Sequence, residues 1–218
     1  MYYKQTLLQK LEYKLGRYAI KNLMTILIGA MAIFFAVNFM LPDGINIYNV
    51  FAFYKPAIAQ GQVWRIFTFI FLPPGSNLLF IIFALYFYWL IGSSMEHEWG
   101  AFRFNIFYLC GMIGTIIAGV ISGFATNEYL NLSLFIAAAI LFPNFEIRLF
   151  LLIPVKMKWL GYLSAAYLLF MLVMVLDSWR ERTALLVSLL NIILFFGKDF
   201  IQIFKRAYAW VKWKQKFR

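Results

Sequence analysis

Residues 77–124 decide the fold, and they read NLLFIIFALYFYWLIG, SSMEHEWGAF and RFNIFYLCGMIGTIIAGVISGF in three consecutive pieces. The first and third pieces are apolar along their length, and each approaches the roughly 20 residues that a helix needs to cross a bilayer. The middle piece is short and holds most of the charges. The stretch therefore predicts two membrane-spanning helices joined by a short connection outside the apolar layer.

The same pattern of apolar runs continues along the rest of the 218 residues. The chain is 64% hydrophobic and only 13% charged, with a mean hydropathy of +0.78, which is more apolar than a soluble domain of this length needs. We predict an all-α, polytopic helical bundle that crosses the membrane six times. The six predicted spans cover residues 22–41, 77–92, 103–124, 130–142, 159–176 and 183–204. The fourth is short, which is typical of a helix surrounded by protein rather than lipid.

Basic residues are distributed unequally between the two sides that this topology creates. Sixteen of the 20 Lys and Arg residues fall before span one, after spans two and four, or in and after span six. Positive segments stay in the cytoplasm, so this asymmetry predicts that both termini are cytoplasmic. The formal charge of +11 then indicates anionic lipid of the inner leaflet as the counter-charge, and not nucleic acid. Without a retention or lipidation signal, a bacterial plasma membrane is the expected location.

The predicted membrane domain, 22–204, is flanked by two basic segments. In segment 1–21, apolar and basic residues recur on different faces of a helix, as in helices that lie in the membrane interface. One face holds Leu7, Leu11, Leu15 and Tyr18, and the other holds Lys10, Lys14, Arg17 and Lys21. In segment 205–218 aromatic and basic residues interleave, which predicts docking on anionic headgroups. A secretory signal peptide is not expected, because no short apolar core with a small-residue cleavage site follows the basic start.

The longest predicted loop, 42–76, is rich in aromatic residues and poor in charge, so we expect it to lie in the outer interface. The chain has one cysteine, Cys110, and one histidine, His97. These numbers allow neither a disulfide framework nor a cluster of metal ligands, and we expect no metal and no cofactor. Cys110 is expected to pack between helices, and His97 to be a solvated loop residue beside Glu96 and Glu98.

Short motifs outside the spans carry a resemblance to a known family. A Trp-Arg pair stands in the first outer loop, GSSMEHEWG (92–100) follows span two, and IPVKMKWL (153–160) leads into span five. Over residues 45–200 these features resemble the rhomboid superfamily of intramembrane proteins, whose topology has six spans. The matching positions are Trp64, Arg65, Gly92, Glu96, Gly100 and Arg103.

Elementary chemistry favours structural roles for the same residues. Gly92 and Gly100 are expected to adopt backbone angles that other residues avoid, and Glu96 and Arg103 to bracket a tight cytoplasmic turn. Arg65 lies in an apolar loop, where a buried guanidinium needs carbonyls or a carboxylate as partners. We interpret Arg65 as an organiser of the loop and not as a catalyst.

The resemblance also implies where catalysis would take place. Rhomboid proteases use a serine in a Gly-x-Ser-Gly motif at the outer start of span four, and a histidine in span six that takes the serine's proton. The matching serine is Ser133, but both glycines are replaced, by Asn131 and Leu134. In span six the polar residues at a comparable depth are Ser188 and Asn191, and neither can act as a base at neutral pH.

Other parts of the catalytic machinery are missing by the same comparison. The family's oxyanion-binding residues of span two correspond by spacing to Phe80 and Ala84, whose side chains donate no hydrogen bond, and loss of one such donor costs about 100-fold or more. His97 is predicted on the cytoplasmic side, separated from Ser133 by much of the roughly 30 Å apolar layer. Glu128 precedes Ser133 by five residues, but a carboxylate is a weak base for a hydroxyl.

The sequence thus predicts a rhomboid-like pseudoprotease that, as the resemblance implies, binds transmembrane client proteins and affects their stability, trafficking or extraction. The alternative is an active intramembrane serine protease that uses Ser133 with an unrecognised base. A small transporter is a weaker interpretation, because repeats and interrupted helices are missing. Client identity and oligomeric state stay open.

A surface for clients is expected in the gap between spans two and five, although its residues also fit ordinary lipid-facing packing. The apolar contacts there are Phe80, Phe83, Phe87 and Phe170. Polar and small residues inside the spans are expected to hold the bundle together. The polar residues are Asn105, Thr115, Ser133, Ser164, Ser188 and Asn191, and the small ones are Gly111, Gly114, Gly119 and Gly123.

Overall fold

The computed structural model describes residues 7–38, 40–41, 46–75, 77–149, 153–174, 182, 185–186, 189–190 and 192–195. The longer helices are α1 (Leu7–Leu15), α2 (Leu23–Asn38), α3 (Ile47–Phe51), α4 (Lys55–Ala59), α5 (Arg65–Thr68), α6 (Leu78–Trp99), α7 (Ala101–Ser122), α8 (Glu128–Leu141) and α9 (Met157–Met174). Two short 3-10 helices cover Gly16–Tyr18 and Phe69–Phe71. The prediction of a mostly helical fold is confirmed.

Among the described residues, three helices are long and apolar enough to cross a membrane: α6 and α7, of 22 residues each, and α9, of 18. A fourth crossing forms if Lys10–Tyr18 and Leu23–Asn38, which meet at a bend of 47°, act as one broken span. The chain is therefore a helical membrane protein. The fourth predicted span is present as α8, whose 14 residues are short for a full crossing. The sixth falls mostly outside the described residues, so the number six stays a prediction.

The junction of α6 and α7 is specified by local sequence. Asn77 caps α6, because its side-chain oxygen accepts hydrogen bonds from two backbone N–H groups of the first turn, at 3.0 and 3.4 Å. The helix continues to Trp99, well beyond the predicted end at Gly92. Gly100 then separates the two helices with a φ of 81°. The prediction that Gly100 needs an unusual backbone angle is confirmed.

Gly92 has a different role from the one predicted for it. It lies inside α6 and is buried, and its φ is not in the left-handed region. A Cβ atom at this position would lie 2.2 Å from the Cγ atom of Met24 on α2. The glycine is therefore needed for the close approach of two helices and not for a turn, so the prediction for Gly92 is wrong.

Contacts between helix ends divide the bundle into two sides. On one, which we call the hinge side, the backbone N–H of Asn22 before α2 donates to Glu96 near the end of α6. On the other, the loop side, segment 46–75 contacts the connection between α7 and α8. After α8 the chain returns to the hinge side, where Phe145 lines a surface pocket with His97. The described helices thus alternate between the two sides, as the predicted topology requires.

Two short antiparallel sheets interrupt the helical pattern. β1 (Phe53–Tyr54) pairs with β2 (Phe124–Ala125), which ties the loop side to the end of α7. β3 (Glu146–Leu149) pairs with β4 (Ile153–Lys156) between α8 and α9. The all-α prediction missed both sheets, because strands of two to four residues are too short to show a clear alternation of polar and apolar side chains.

Helix α8 lies at the centre of the described bundle. It packs on α6, α7 and α9, and half of its 14 residues are buried. Its contact with α9 depends on Gly161, where an added Cβ atom would lie 2.2 Å from the Cβ atom of Ala139. This helix is surrounded by protein, as the short fourth apolar run predicts.

Two of the glycines predicted to allow close packing of span three have distinct roles. At Gly119 an added Cβ atom would lie 2.6 Å from the ring of Phe53, so close packing at this position is confirmed. Gly123 ends α7 with a φ of 89°, and its N–H donates to the carbonyl of Gly119 at 2.8 Å. Gly123 therefore terminates the helix, and the packing role predicted for it is wrong.

Candidate functional site

Segment 46–75 on the loop side is organised around one cation, Arg65, which is only 6% exposed. Its Nη1 and Nη2 atoms donate to the carbonyls of Ala52 at 3.1 Å and Asn49 at 2.7 Å, and its Nε atom donates to Oε1 of Gln62 at 2.7 Å. Burial lowers the pKa of the guanidinium, but an arginine stays protonated in proteins. These are the carbonyl partners that the sequence predicts for a buried guanidinium, and they make Arg65 a loop organiser.

Trp64, the other residue of the pair, stays half exposed at the surface. Its Nε1 atom donates to the carbonyl of Val50 at 3.4 Å. One turn later, Oγ1 of Thr68 donates to the carbonyl of Phe51 at 2.9 Å. Together with the bonds of Arg65, these contacts fasten α5 to α3 and give the loop side a fixed shape.

A buried asparagine that the sequence interpretation did not single out joins this segment to the bundle. The Nδ2 atom of Asn127 donates to the carbonyls of Ile70 at 3.0 Å and Leu72 at 2.8 Å. An asparagine directly before an acidic residue and an apolar run is a signal for the start of a helix. That signal predicts the start of α8, but it does not reveal partners that lie 55 and 57 residues away.

Segment 46–75, α6, α8 and α9 surround a cavity of 440 Å³ on the loop side. Its wall combines aromatic rings with a few polar groups, and it includes Tyr48, Phe80, Tyr88, Glu128, Asn131 and Tyr167. The Tyr48 hydroxyl donates to the carbonyl of Pro73, and burial raises the pKa of Tyr48, so the phenol stays neutral. The Tyr167 hydroxyl donates to Oε1 of Glu128 at 3.3 Å, which links α9 to the start of α8.

Ser133, the serine singled out by the sequence, is fully buried and is not part of the cavity wall. Its Oγ atom donates to the carbonyl of Leu130, within α8, at 2.7 Å. The prediction that Ser133 bonds to another helix is therefore wrong. Thr115 differs from the prediction in the same way, because it donates to Gly111 within α7 at 2.9 Å. A hydroxyl held against its own helix, away from the cavity, is poorly placed to attack a substrate.

Asn131, two residues before Ser133, lies in the cavity wall instead. Asn131 is 1% exposed, and neither its amide nitrogen nor its amide oxygen makes a hydrogen bond of good geometry to a described residue, although the Tyr88 hydroxyl lies near enough to interact with the amide. A buried amide without partners costs about 1–3 kcal/mol. Asn131 is therefore a buried polar group of α8 in the cavity wall, one turn after the exposed Glu128.

The single histidine of the chain is far from Ser133. His97 is exposed in the last turn of α6, on the hinge side, so it is solvated as predicted but belongs to a helix and not to a loop. Tyr88, on the same helix, lines the loop-side cavity. His97 lies nine residues after Tyr88, which places the two residues about 13 Å apart along the helix axis. His97 thus lies at the hinge-side end of α6, whereas Ser133 lies in the first half of α8, which begins on the loop side.

The other predicted positions that the structure describes supply no catalytic group either. Glu128 is on the loop side, but its carboxylate is exposed and accepts its hydrogen bond from α9 and not from the serine. Phe80 is 58% exposed in the cavity wall, and Ala84 is partly buried on the same helix; neither side chain can donate a hydrogen bond. Ser188 and Asn191, the predicted replacements of a catalytic histidine, lie outside the described residues.

On the hinge side, Glu96 and Arg103 flank Gly100 as predicted, but their hydrogen-bond partners come from the N-terminal segment. Oε1 of Glu96 accepts from the backbone N–H of Asn22 at 2.6 Å. Nε of Arg103 lies 3.1 Å from Oε2 of Glu12. The two residues therefore hold the N-terminal segment against the α6–α7 turn, a role that the sequence interpretation did not anticipate.

Asn105 makes a third connection at the hinge. Its Nδ2 atom donates to the carbonyl of Ile20 at 2.8 Å, and also to that of Ala101 in the same helix at 2.5 Å. Asn105 therefore bonds to its own helix and to the connection between Tyr18 and α2, and the predicted bond from helix to helix is not made by these two contacts. In the part of the chain that the structure describes, no three His, Cys, Asp or Glu side chains are grouped to hold a metal ion, and Cys110 is a partly buried free thiol.

The chain matches no protein-family model, and no curated protein matches it significantly. Its class therefore follows from the fold and the site described above. The protein is a helical membrane protein with an organised aromatic loop on one side and a cavity beneath that loop.

Proposed function

We propose that the chain is a rhomboid-like membrane protein without proteolytic activity, which binds transmembrane segments of client proteins and influences their stability, trafficking or extraction. The observation that carries this proposal is the placement of Ser133, which is fully buried, bonded to Leu130 within its own helix and not part of the cavity wall. A serine becomes a nucleophile only when a neighbouring base takes its proton and a substrate can reach it. Ser133 meets neither condition among the described residues.

Further support comes from the residues that carry the resemblance. The Trp64-Arg65 pair organises the loop that covers the cavity, and Gly100 makes the turn after span two. The hinge side holds the basic N-terminal segment and Arg103, so cytoplasmic termini in a bacterial plasma membrane are part of the proposal.

The proposed client surface is the membrane-facing side of the cavity, between α6 and α9. Both helices pack on α8, and each contributes an aromatic residue to the cavity wall, Phe80 from α6 and Tyr167 from α9. Phe80 and Phe170 are more than half exposed. Phe87 is 8% exposed and belongs to the core, so the prediction that it contacts clients is wrong. A client helix docked here would cover the exposed rings and bring a polar group near Asn131.

The first experiment asks whether Ser133 reacts. The full-length protein in lipid nanodiscs is treated with a fluorophosphonate probe, beside Ser133→Ala and an active rhomboid protease. We expect no Ser133-dependent labelling while the active protease is labelled, because the hydroxyl is buried and bonded. Labelling that disappears in Ser133→Ala would overturn the proposal and support the alternative of an intramembrane protease that uses Ser133.

The second experiment asks whether clients dock between α6 and α9. A photo-crosslinking amino acid is placed at Phe80 and, as a matched control, at Ile33, which is an equally exposed apolar residue on α2. We expect discrete adducts with membrane proteins from position 80 and not from position 33. The abundance of a captured protein should also change in cells that lack the chain. Equal adducts at both positions, or unchanged abundance of the captured proteins, would contradict client binding at this surface.

A further inference from the structure

A second concave surface lies on the hinge side, between the N-terminal segment, α2 and α7. It is a groove of 390 Å³ whose walls include Leu23, Leu27, Ile106, Leu109 and Met112. Between Asn105 and Met112 it follows α7 for about 10 Å. The amide nitrogen of Asn105 is already engaged with two backbone carbonyls. The groove therefore offers its occupant apolar contact and almost no hydrogen bonding.

The rim of this groove is positively charged. Tyr18 forms part of the wall, and the guanidinium carbon of Arg17 lies 4.7 Å from the centre of the Tyr18 ring. Nη2 of Arg17 also donates to the Tyr18 hydroxyl at 2.8 Å, which keeps the cation beside the groove. Lys21 is exposed and directly follows Ala19 and Ile20, which both line the groove. Two cations thus adjoin, along the chain, the residues Tyr18, Ala19 and Ile20 that line the groove.

These two cations have no ion-pair partner within the described residues. The one carboxylate of residues 10–21, Glu12, is 3.1 Å from Arg103 and is compensated by it. Arg17 uses one of its five N–H donors on Tyr18, so the others remain for an external anion. A guanidinium binds a phosphate through paired hydrogen bonds, and an ammonium adds a second charge beside it.

We propose that the groove is a binding site for an anionic phospholipid. One acyl chain lies between α2 and α7, and the phosphate contacts Arg17 and Lys21. An acyl chain can fill an apolar groove on a membrane protein with apolar contacts, and the two cations favour an anionic headgroup over a neutral one. Both cations lie at the bend of 47° between Lys10–Tyr18 and Leu23–Asn38. This inference does not depend on the proposed binding of clients.

The headgroup selection is tested by native mass spectrometry. The full-length protein in detergent is mixed with equal amounts of phosphatidylglycerol and phosphatidylcholine that carry identical chains. We expect the wild type to retain phosphatidylglycerol preferentially, and each cation removed to lower that preference about fivefold. The double variant Arg17→Gln/Lys21→Gln should therefore lose the preference for phosphatidylglycerol. The control Lys55→Gln/Lys156→Gln removes two exposed charges that lie outside both the groove wall and the N-terminal segment, and it should keep the preference.

The acyl-chain contact is tested by filling the groove. Leu109→Trp places a large ring in the groove wall, whereas Ile113→Trp, one turn later on α7, adds the same ring at an exposed position outside it. We expect Leu109→Trp to lower retention of phosphatidylglycerol at least tenfold, as roughly 1.4 kcal/mol of lost contact would. Ile113→Trp should retain lipid like the wild type.

Several outcomes would overturn the proposal. An unchanged headgroup preference in Arg17→Gln/Lys21→Gln, or an equal loss in its charge-matched control, would remove the role of the rim. Equal lipid retention by Leu109→Trp and the wild type would remove the role of the groove. A wild-type dimer that binds no lipid and that Leu109→Trp makes monomeric would show an interface between two copies of the chain. Thermal unfolding of each variant verifies that it is folded.

Discussion

The loop side and the hinge side of the bundle are both fastened through arginine, but the two arginines are in different environments. On the loop side, Arg65 is 6% exposed and all of its bonds go to neutral oxygen atoms of one segment. On the hinge side, Arg103 and Glu12 keep 41% and 36% of their side chains exposed. When an exposed ion pair breaks, water solvates both charged groups, so the free-energy cost is small. When a buried carbonyl loses its donor, water cannot reach it to donate instead, so the cost is larger. We therefore expect the hinge side to open more easily than the loop side.

The largest effect is expected from Arg65→Met, which removes the centre of the loop side. Two carbonyls and one side-chain amide oxygen lose their donor, and the free energy of unfolding should fall by about 3 kcal/mol or more. Unfolding of the purified protein in detergent, by heat or by increasing SDS, measures this change. Lys55→Met is the control, because Lys55 is exposed and donates one bond, to the carbonyl of Val120. Equal stability of the two variants would contradict the difference between the sides.

The contact between α2 and α6 gives the next largest effect. In Gly92→Ala the added Cβ atom would meet Met24, and the helices must separate, at a cost of about 1–3 kcal/mol. Gly29→Ala is the matched control, because an added Cβ atom at Gly29 meets no atom within 4 Å and alanine favours the helix. The same unfolding measurement should show Gly29→Ala unchanged or stabilised. If Met24→Ala does not offset part of the loss in Gly92→Ala, the clash is not its cause.

An opposite effect, of about 1 kcal/mol, is expected beneath the loop. Asn131→Leu replaces a buried amide, which makes no hydrogen bond of good geometry to a described residue, by an apolar group of similar size, and it should raise the free energy of unfolding. Asn127→Leu has the same chemistry but removes two hydrogen bonds to the loop, so it should lower stability. Thermal unfolding in detergent compares the two variants. A destabilised Asn131→Leu would mean that the amide is satisfied in the folded protein.

The smallest effect is expected from the hinge. Arg103→Gln removes a partly exposed ion pair, and the free energy of unfolding should change by less than about 1 kcal/mol. Because salt screens such a pair, the difference between wild type and variant should shrink further at 1 M salt. If Arg103→Gln lowers the free energy of unfolding as much as Arg65→Met does, or by an amount that salt does not change, the hinge side is as closely packed as the loop side.

The features of the fold that were predictable from sequence depend on neighbouring residues. The long apolar runs specify helices that can cross a membrane, and Gly100 specifies the turn that separates α6 from α7. The need of Arg65 for carbonyl partners is also local, because they lie within 16 residues of it. Gly92 was misassigned because a glycine in a helix leaves no local sign of the side chain that packs on it, here Met24.

In the candidate site too, sequence fails to predict contacts with other elements, here the direction in which single side chains of one helix point. Asn131 and Ser133 are two residues apart on α8, so they point in directions about 200° apart around the helix axis. Only one of them can face the loop-side cavity, and the packing of α6 and α9 around α8 makes it Asn131. The position of Ser133 in the chain makes it a candidate nucleophile. Because α8 is apolar on all sides, however, the sequence does not reveal which of its sides faces the cavity.

By itself, the sequence determined that the chain is a helical membrane protein, because long and predominantly apolar runs are excluded from water and, in lipid, must satisfy their backbone hydrogen bonds within a helix. It also determined that a single histidine stands far along the chain from the candidate serine. Only the tertiary structure decided that Ser133 is closed off, that Asn131 faces the cavity, and that Glu96 and Arg103 hold the N-terminal segment. These facts depend on contacts between residues distant in the chain, and the direction of a side chain in such a contact is set by the helices that pack around it.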